Sequence, residues 1–174
     1  MPQEPLSFDP IDRAAQKWRE RWGSAARDET MAAATSIMRV QQVLLARFDA
    51  IAAAEGLTFA RYEALVLLAF SRDRQLSMSR IGERLMVHPT SATNIIQRLA
   101  ASGFVERLPN PADGRGTLAR ITPEGLRAME AVTARLHAVD FGLEALSPPE
   151  IEALTGLLRT VRVDAGDFVE ERPR

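Results

Sequence analysis

The chain has 174 residues, 46% hydrophobic and 26% charged, with a net charge of −1 and no cysteine. This is a globular composition long enough for one domain with appendages, and it excludes disulfides, thiolate metal sites and cysteine redox sensing. The longest apolar run, residues 64–70, is far short of a membrane span, and residues 1–10 lack the basic and apolar regions of a signal peptide, so a cytoplasmic protein with no membrane partner is expected.

Residues 9–22 place Ile11, Ala14, Ala15, Trp18 and Trp22 at helical spacing behind Asp9-Pro10, an acidic cap followed by a first-turn proline. A polar linker over 23–30 precedes a long helix over 31–54, marked by Ile37, Val40, Val43, Leu44, Phe48 and Ile51 and ended by Gly56. Thr58 is expected to cap a helix over 58–70 that is apolar on most sides and so belongs at the centre of the fold. Ser77 caps a short helix through Met86, and His88-Pro89 opens another that Gly103 closes. Residues 104–108 and 118–121 read as strands flanking the turn-rich segment PNPADGRGT. From Thr122, apolar residues at spacings of three and four continue through Leu126, Met129, Val132, Leu136, Val139, Leu143 and Leu146, which predicts one helix of about six turns resembling a coiled-coil seam. SPPE at 147–150 has the form of a capping box for a final helix over 151–161.

Charge is unevenly distributed. Residues 71–120 carry eight arginines against four acids, a local excess of four positive charges in a chain that is slightly negative overall. Such focusing suits a nucleic-acid footprint, although a solvated arginine-rich face has the same composition.

On the helix that begins at Pro89, Ala92, Ile96 and Leu99 form one stripe. The opposite face carries Thr90, Ser91, Thr93, Asn94, Gln97 and Arg98 and no acid. Asn and Gln pair with adenine, Arg with guanine, and Ser and Thr with bases or phosphate, so this face is chemically suited to reading a major groove. Ser77 and Ser79 are candidate phosphate partners at the start of the preceding helix, and His88 at the start of the reader. In the hairpin, Asp113-Gly114 suits a tight turn, and Arg115 at the tip is expected to enter or border the minor groove with Asp113 holding it. Arg107 and Arg120 on the strands are further phosphate candidates.

These residues carry a resemblance. The stretch GFVERLPNPADGRG followed by ITPEG (residues 121–125) resembles the winged helix-turn-helix core of MarR-family transcriptional regulators, and the similarity extends over about 31–161. The resemblance implies a mainly α fold with a small β-hairpin wing: a reading lobe over 58–122, dimerisation helices over 31–54 and 123–168 within a domain of 31–174, and an N-terminal extension, 1–30, with an extra helix. It further implies a homodimer on a palindromic double-stranded operator, and repression released by a small phenolic or other aromatic ligand bound between the dimer helices and the reading lobe.

The candidate ligand residues are Trp18, Trp22, Met38, Arg61, Tyr62 and His137, polar or aromatic groups near the expected junction. The tryptophans have an alternative role in covering apolar surface and widening the dimer interface. The Trp-bearing N-terminal helix is similar to that of the urate-responsive branch, but Ile95 follows Thr93-Asn94 where that branch has arginine, which argues against a urate-type ligand.

An enzyme is not expected. The chain has two histidines and no G-x-S-x-G, P-loop, H-E-x-x-H or G-x-G-x-x-G motif, and no cofactor is implied. The remaining alternative is a protein-interaction module or anti-activator that keeps the fold without binding DNA. The reader face argues against it, because it lacks the aromatic anchors of a partner-binding helix.

Overall fold

The computed structural model describes residues 5–111 and 116–169. It comprises two compact units, Met1–Ala50 and Ile51–Arg174.

In the first unit, α1 (Pro10–Trp22) starts as its sequence predicts. Asp9 Oδ1 accepts from the Ile11 amide at 2.8 Å and the Asp12 amide at 3.4 Å, and Pro10 fills a position whose amide would have no helical partner. Gly23, at φ 54°, ends it. Trp18 and Trp22 lie on the same face with ring centroids 4.3 Å apart. The expected linker is shorter than 23–30, because α2 (Asp28–Ala52) begins three residues before Met31. Asp28 and Glu29 place negative charge in its first turn, where the helix dipole favours it, and Asp28 pairs with Arg19 of α1. That guanidinium, by hydrogen bonding above all, holds the Asp28 carboxyl below its ordinary value.

The second unit is built around α3 (Phe59–Ala69), whose Ala64, Leu65 and Leu68 are fully enclosed. Thr58 occupies the N-cap position in extended conformation, but its side chain makes no capping bond; its carbonyl receives the Arg61 and Tyr62 amides instead. Against α3 pack α5 (Pro89–Ala101) and α6 (Pro123–His137), while α4 (Met78–Arg84) packs on α5. Ile81, Ala92, Ile96, Leu99, Val132 and Leu136 complete the core. The helices α4 and α5 form the expected pair, with Met86 at φ 51° in the connection.

Strands β2 (Val105–Pro109) and β3 (Thr117–Ile121) form the hairpin, with Arg107 opposite Ala119 and Glu106 opposite Arg120. A strand that periodicity does not reveal, β1 (Gln75–Ser77), joins the other edge of β3 and places Leu76 opposite Ala119. The sheet is therefore antiparallel with order β1-β3-β2. Leu76 and Ala119 are both buried, so this third strand fastens the start of α4 to the hairpin.

The helix expected to run six turns from Thr122 is broken. It stops at His137, and Asp140 and Phe141 take left-handed conformations at φ 41° and 51° before Gly142 at φ 76°. Residues in that region cannot propagate a right-handed helix, whatever the apolar spacing beyond them. The last helix, α7 (Pro148–Asp164), opens on the expected capping box, in which the Ser147 amide and hydroxyl both donate to Glu150 Oε2. Exposed apolar side chains line α2 (Ile37, Met38, Val40, Val43) and α7 (Leu157, Val161).

Candidate nucleic-acid interface

The reader helix α5 is held by its inner stripe. Ala92, Ile96 and Leu99 are each no more than 1% exposed, which fixes the rotation of the helix and turns the other face outward. On that outer face Thr90, Ser91, Asn94, Gln97 and Arg98 are exposed and Thr93 is half-buried. His88 sets the start, its Nδ1 accepting from the Thr90 amide at 3.2 Å ahead of Pro89. The first turn carries no acid, so the positive end of the helix dipole is not offset there and favours a phosphate.

The outward side chains differ in how much hydrogen-bonding capacity they keep. Thr93 Oγ1 donates to the Pro89 carbonyl at 2.9 Å, leaving its acceptor lone pairs and methyl group outward. Asn94 Oδ1 accepts from Arg98 Nε at 3.0 Å, which aligns the amide and the guanidinium as a pair along one edge. Ser91 and Gln97 make no side-chain hydrogen bond among the described residues, so their full donor and acceptor sets face solvent.

Around the reader, Ser77 Oγ lies 3.1 Å from Ser79 Oγ and accepts weakly from the Arg80 amide at 3.5 Å, at the start of α4. Arg107 is exposed on β2. Arg120 is not a free cation: its guanidinium donates to Glu106 Oε2 at 2.8 Å across the strands. Asp113 and Arg115, the expected wing tip, lie outside the described residues.

A second feature of this unit is a cleft of about 790 Å³ lined by α3 and α6, with Arg84 and Leu85 at the end of α4 also in its lining. Phe59, Tyr62, Val66, Leu67, Phe70, Met129 and Phe141 supply apolar and aromatic walls. Thr133 gives its proton to the Met129 carbonyl at 2.9 Å, so the Tyr62 hydroxyl, 2.9 Å from Thr133 Oγ1, is the donor between them. His137 stacks at a tilt on Phe141, 5.6 Å between centroids. Glu63 and Glu130 also line the cleft, and loss of hydration raises the Glu63 pKa above its ordinary value.

Of the ligand candidates named from sequence, Tyr62 and His137 line this cleft. Arg61 does not; it is half-buried and donates to the Gly56 carbonyl at 3.2 Å. Trp18, Trp22 and Met38 belong to the first unit and are exposed there. Phe59, Glu63, Glu130, Thr133 and Phe141 escape a sequence reading. For Phe59 and Glu63 the signal is the stripe Phe59, Tyr62/Glu63, Val66 on α3, continued by Phe70 just beyond it, which interrupts an apolar face with one acid.

A mainly helical fold with a three-stranded wing and an outward, acid-free reader helix defines a winged helix-turn-helix DNA-binding transcriptional regulator. Comparison with known proteins makes the class specific. Residues 55–116 match the MarR family. The chain is 56% identical to Sco5413, a MarR family transcriptional regulator from Streptomyces coelicolor, covering 82% of this chain and 99% of that one with a TM-score of 0.76. A mutant MarR from E. coli complexed with operator DNA aligns at 26% identity and a TM-score of 0.69, over 77% of this chain and 96% of the other. The HTH-type transcriptional repressor IacR from Pseudomonas putida is 30% identical over 99 residues, 55% of this chain and 58% of that protein. The chain belongs to the MarR family; it is a regulator and not an enzyme. Among the described residues, no helix is long and apolar enough to cross a membrane.

Proposed function

We propose that the chain is a homodimeric repressor that reads a palindromic operator with α5 and releases it when a small aromatic ligand occupies the cleft between α3 and α6. The observation that carries the DNA-reading part is the outer face of α5, exposed and hydrogen-bonding, over a completely buried inner stripe. In this reading Gln97, Asn94 and Arg98 contact base edges. Ser91, Thr90, Thr93 and His88 contact bases or the adjoining backbone, and Ser77, Ser79 and Arg107 contact phosphates. Arg115, steadied by Asp113, reaches the minor groove.

Dimerisation is assigned to the helices over 31–54 and 123–168. The exposed apolar side chains of α2 and α7 support it: Met38 is 63% and Leu157 69% exposed in the single chain, and surfaces of this kind are commonly covered by a partner. The reading lobe is then 58–122, and 1–30 is an appended helix. Repression is supported by the kinship with IacR, named as a repressor.

The test is selection of bound fragments from random DNA by the full-length chain. The expected product is a palindrome whose half-sites lie about one helical turn, ~10 bp, apart. Recovery of no enriched sequence would reject operator recognition, and an enriched but asymmetric site would reject the symmetric dimer.

A further inference from the structure

Resting on the reading of the α3–α6 cleft as the effector site, we propose that it selects hydrophobic aromatic cations over aromatic anions. Two carboxylates, Glu63 on α3 and Glu130 on α6, line the cleft. Among the described residues neither makes a side-chain hydrogen bond or ion pair. Each is the one acid in a helix stripe that is otherwise aliphatic, aromatic or weakly polar. Both residues remain exposed at the cleft, and the partial burial of Glu63 raises its pKa, so its charged form gains from a nearby counter-charge. A ligand cation would supply the missing counter-charge.

The walls favour the same sign. Phe59, Tyr62, Phe70 and Phe141 bring aromatic rings to the lining, and aromatic quadrupoles attract cations and disfavour anions at the ring face. The opposing charge is small: Arg84 is the one arginine in the lining, and it also borders a neighbouring cleft that carries Arg72 and Arg80. Arg61, which would suit an anionic headgroup, is turned away to the Gly56 carbonyl.

Tetraphenylphosphonium and tetraphenylborate have the same shape and opposite charge, so titration calorimetry of the full-length protein with each, in sodium buffer, isolates the sign. The phosphonium should bind at least about tenfold more tightly, and the double change Glu63→Gln, Glu130→Gln should remove that preference while leaving the thermal melt in place. Equal or tighter binding of the borate, binding of neither ion, or phosphonium binding indifferent to the double change would each overturn the proposal. DNA release is read separately, by gel shift on the selected operator. Phosphonium binding with the stated preference but without release supports the proposal and rejects only the effector role. Release by salicylate without phosphonium binding rejects the proposal and keeps that role.

Discussion

Thr122 Oγ1 donates to the Gly103 carbonyl at 2.8 Å, tying the first residue before α6 to the turn that ends the reader helix. The same hydroxyl accepts from the Gly125 amide at 3.0 Å, and the Thr122 amide donates to the Phe104 carbonyl at 3.0 Å. One residue therefore caps α6 and fixes where α5 hands over to the wing. This geometry gives the ITPEG sequence its physical meaning. Thr is the cap, Pro occupies the first turn, and Gly is required because α6 passes so close to the wing: a Cβ at Gly125 would stand 2.2 Å from the Phe104 carbonyl oxygen.

Gly125→Ala should accordingly destabilise the fold by about 1–3 kcal/mol, the usual range for forcing a group into packed space. Gly156→Ala on α7 is the control, since a Cβ there meets nothing within 4 Å. It should raise stability by about 0.5–1 kcal/mol through helix propensity. Urea unfolding of both variants distinguishes them, and equal midpoints would contradict the steric account. Thr122→Val should cost about 1 kcal/mol through loss of the cap.

Local chemistry explains which parts of this fold are legible from sequence. Asp9-Pro10, His88-Pro89, Thr122-Pro123 and Ser147-Pro148 each announce a helix start within a few residues, and each start is found in the structure. What escapes depends on partners distant in sequence or on backbone states without a residue signature. Gln75–Ser77 is a strand only because β3, some forty residues on, offers it an edge. The break after His137 is made by Asp140 and Phe141 at positive φ, neither a glycine, while the apolar spacing through Leu143 and Leu146 continues past it. The reader face is legible because it is one surface of one helix. The cleft joins α3 and α6 across roughly seventy residues, so sequence alone points only to Tyr62 and His137 among its walls.

The capping box of α7 makes a pH prediction with a definite sign. Hydrogen bonds from the Ser147 hydroxyl, then from its amide, lower the Glu150 pKa below its ordinary 4.5. A depressed carboxyl contributes stability that is fully present above its unfolded value and is lost as pH falls through the lower folded value. Glu150→Gln keeps an acceptor at this position but removes the charge. The variant should thus be less stable than the parent at neutral pH, and the gap should close as acidification takes the pH below the ordinary carboxylate value and through the lowered one. A gap that persists unchanged in acid would remove the charge from the explanation.

On the reader helix, Gln97→Ala tests base reading with little structural risk, because the side chain is exposed and makes no hydrogen bond among the described residues. Binding to the selected operator should weaken by roughly 1–3 kcal/mol, the worth of one bidentate pairing with a base, while binding to random DNA stays the same. Arg98→Ala should do similar damage and also free Asn94, its partner at 3.0 Å, so Arg98→Ala and Asn94→Ala should not add. Reduced affinity for all sequences alike would reassign these residues to the phosphate backbone.

Arg115 is argued from sequence alone, and salt dependence separates its role from that of Gln97. An arginine on the charged backbone or in the narrow minor groove releases counterions, so Arg115→Ala should weaken operator binding and reduce the slope of log K against log salt by about 1 for each phosphate left without its cation. Gln97→Ala should leave that slope where it was. The two variants therefore exchange signatures, one electrostatic and one sequence-specific, in a single set of titrations at several salt concentrations. If Arg115→Ala matched the parent in both affinity and slope, Arg115 would have no part in binding, and the wing's share would rest on Arg107 of β2.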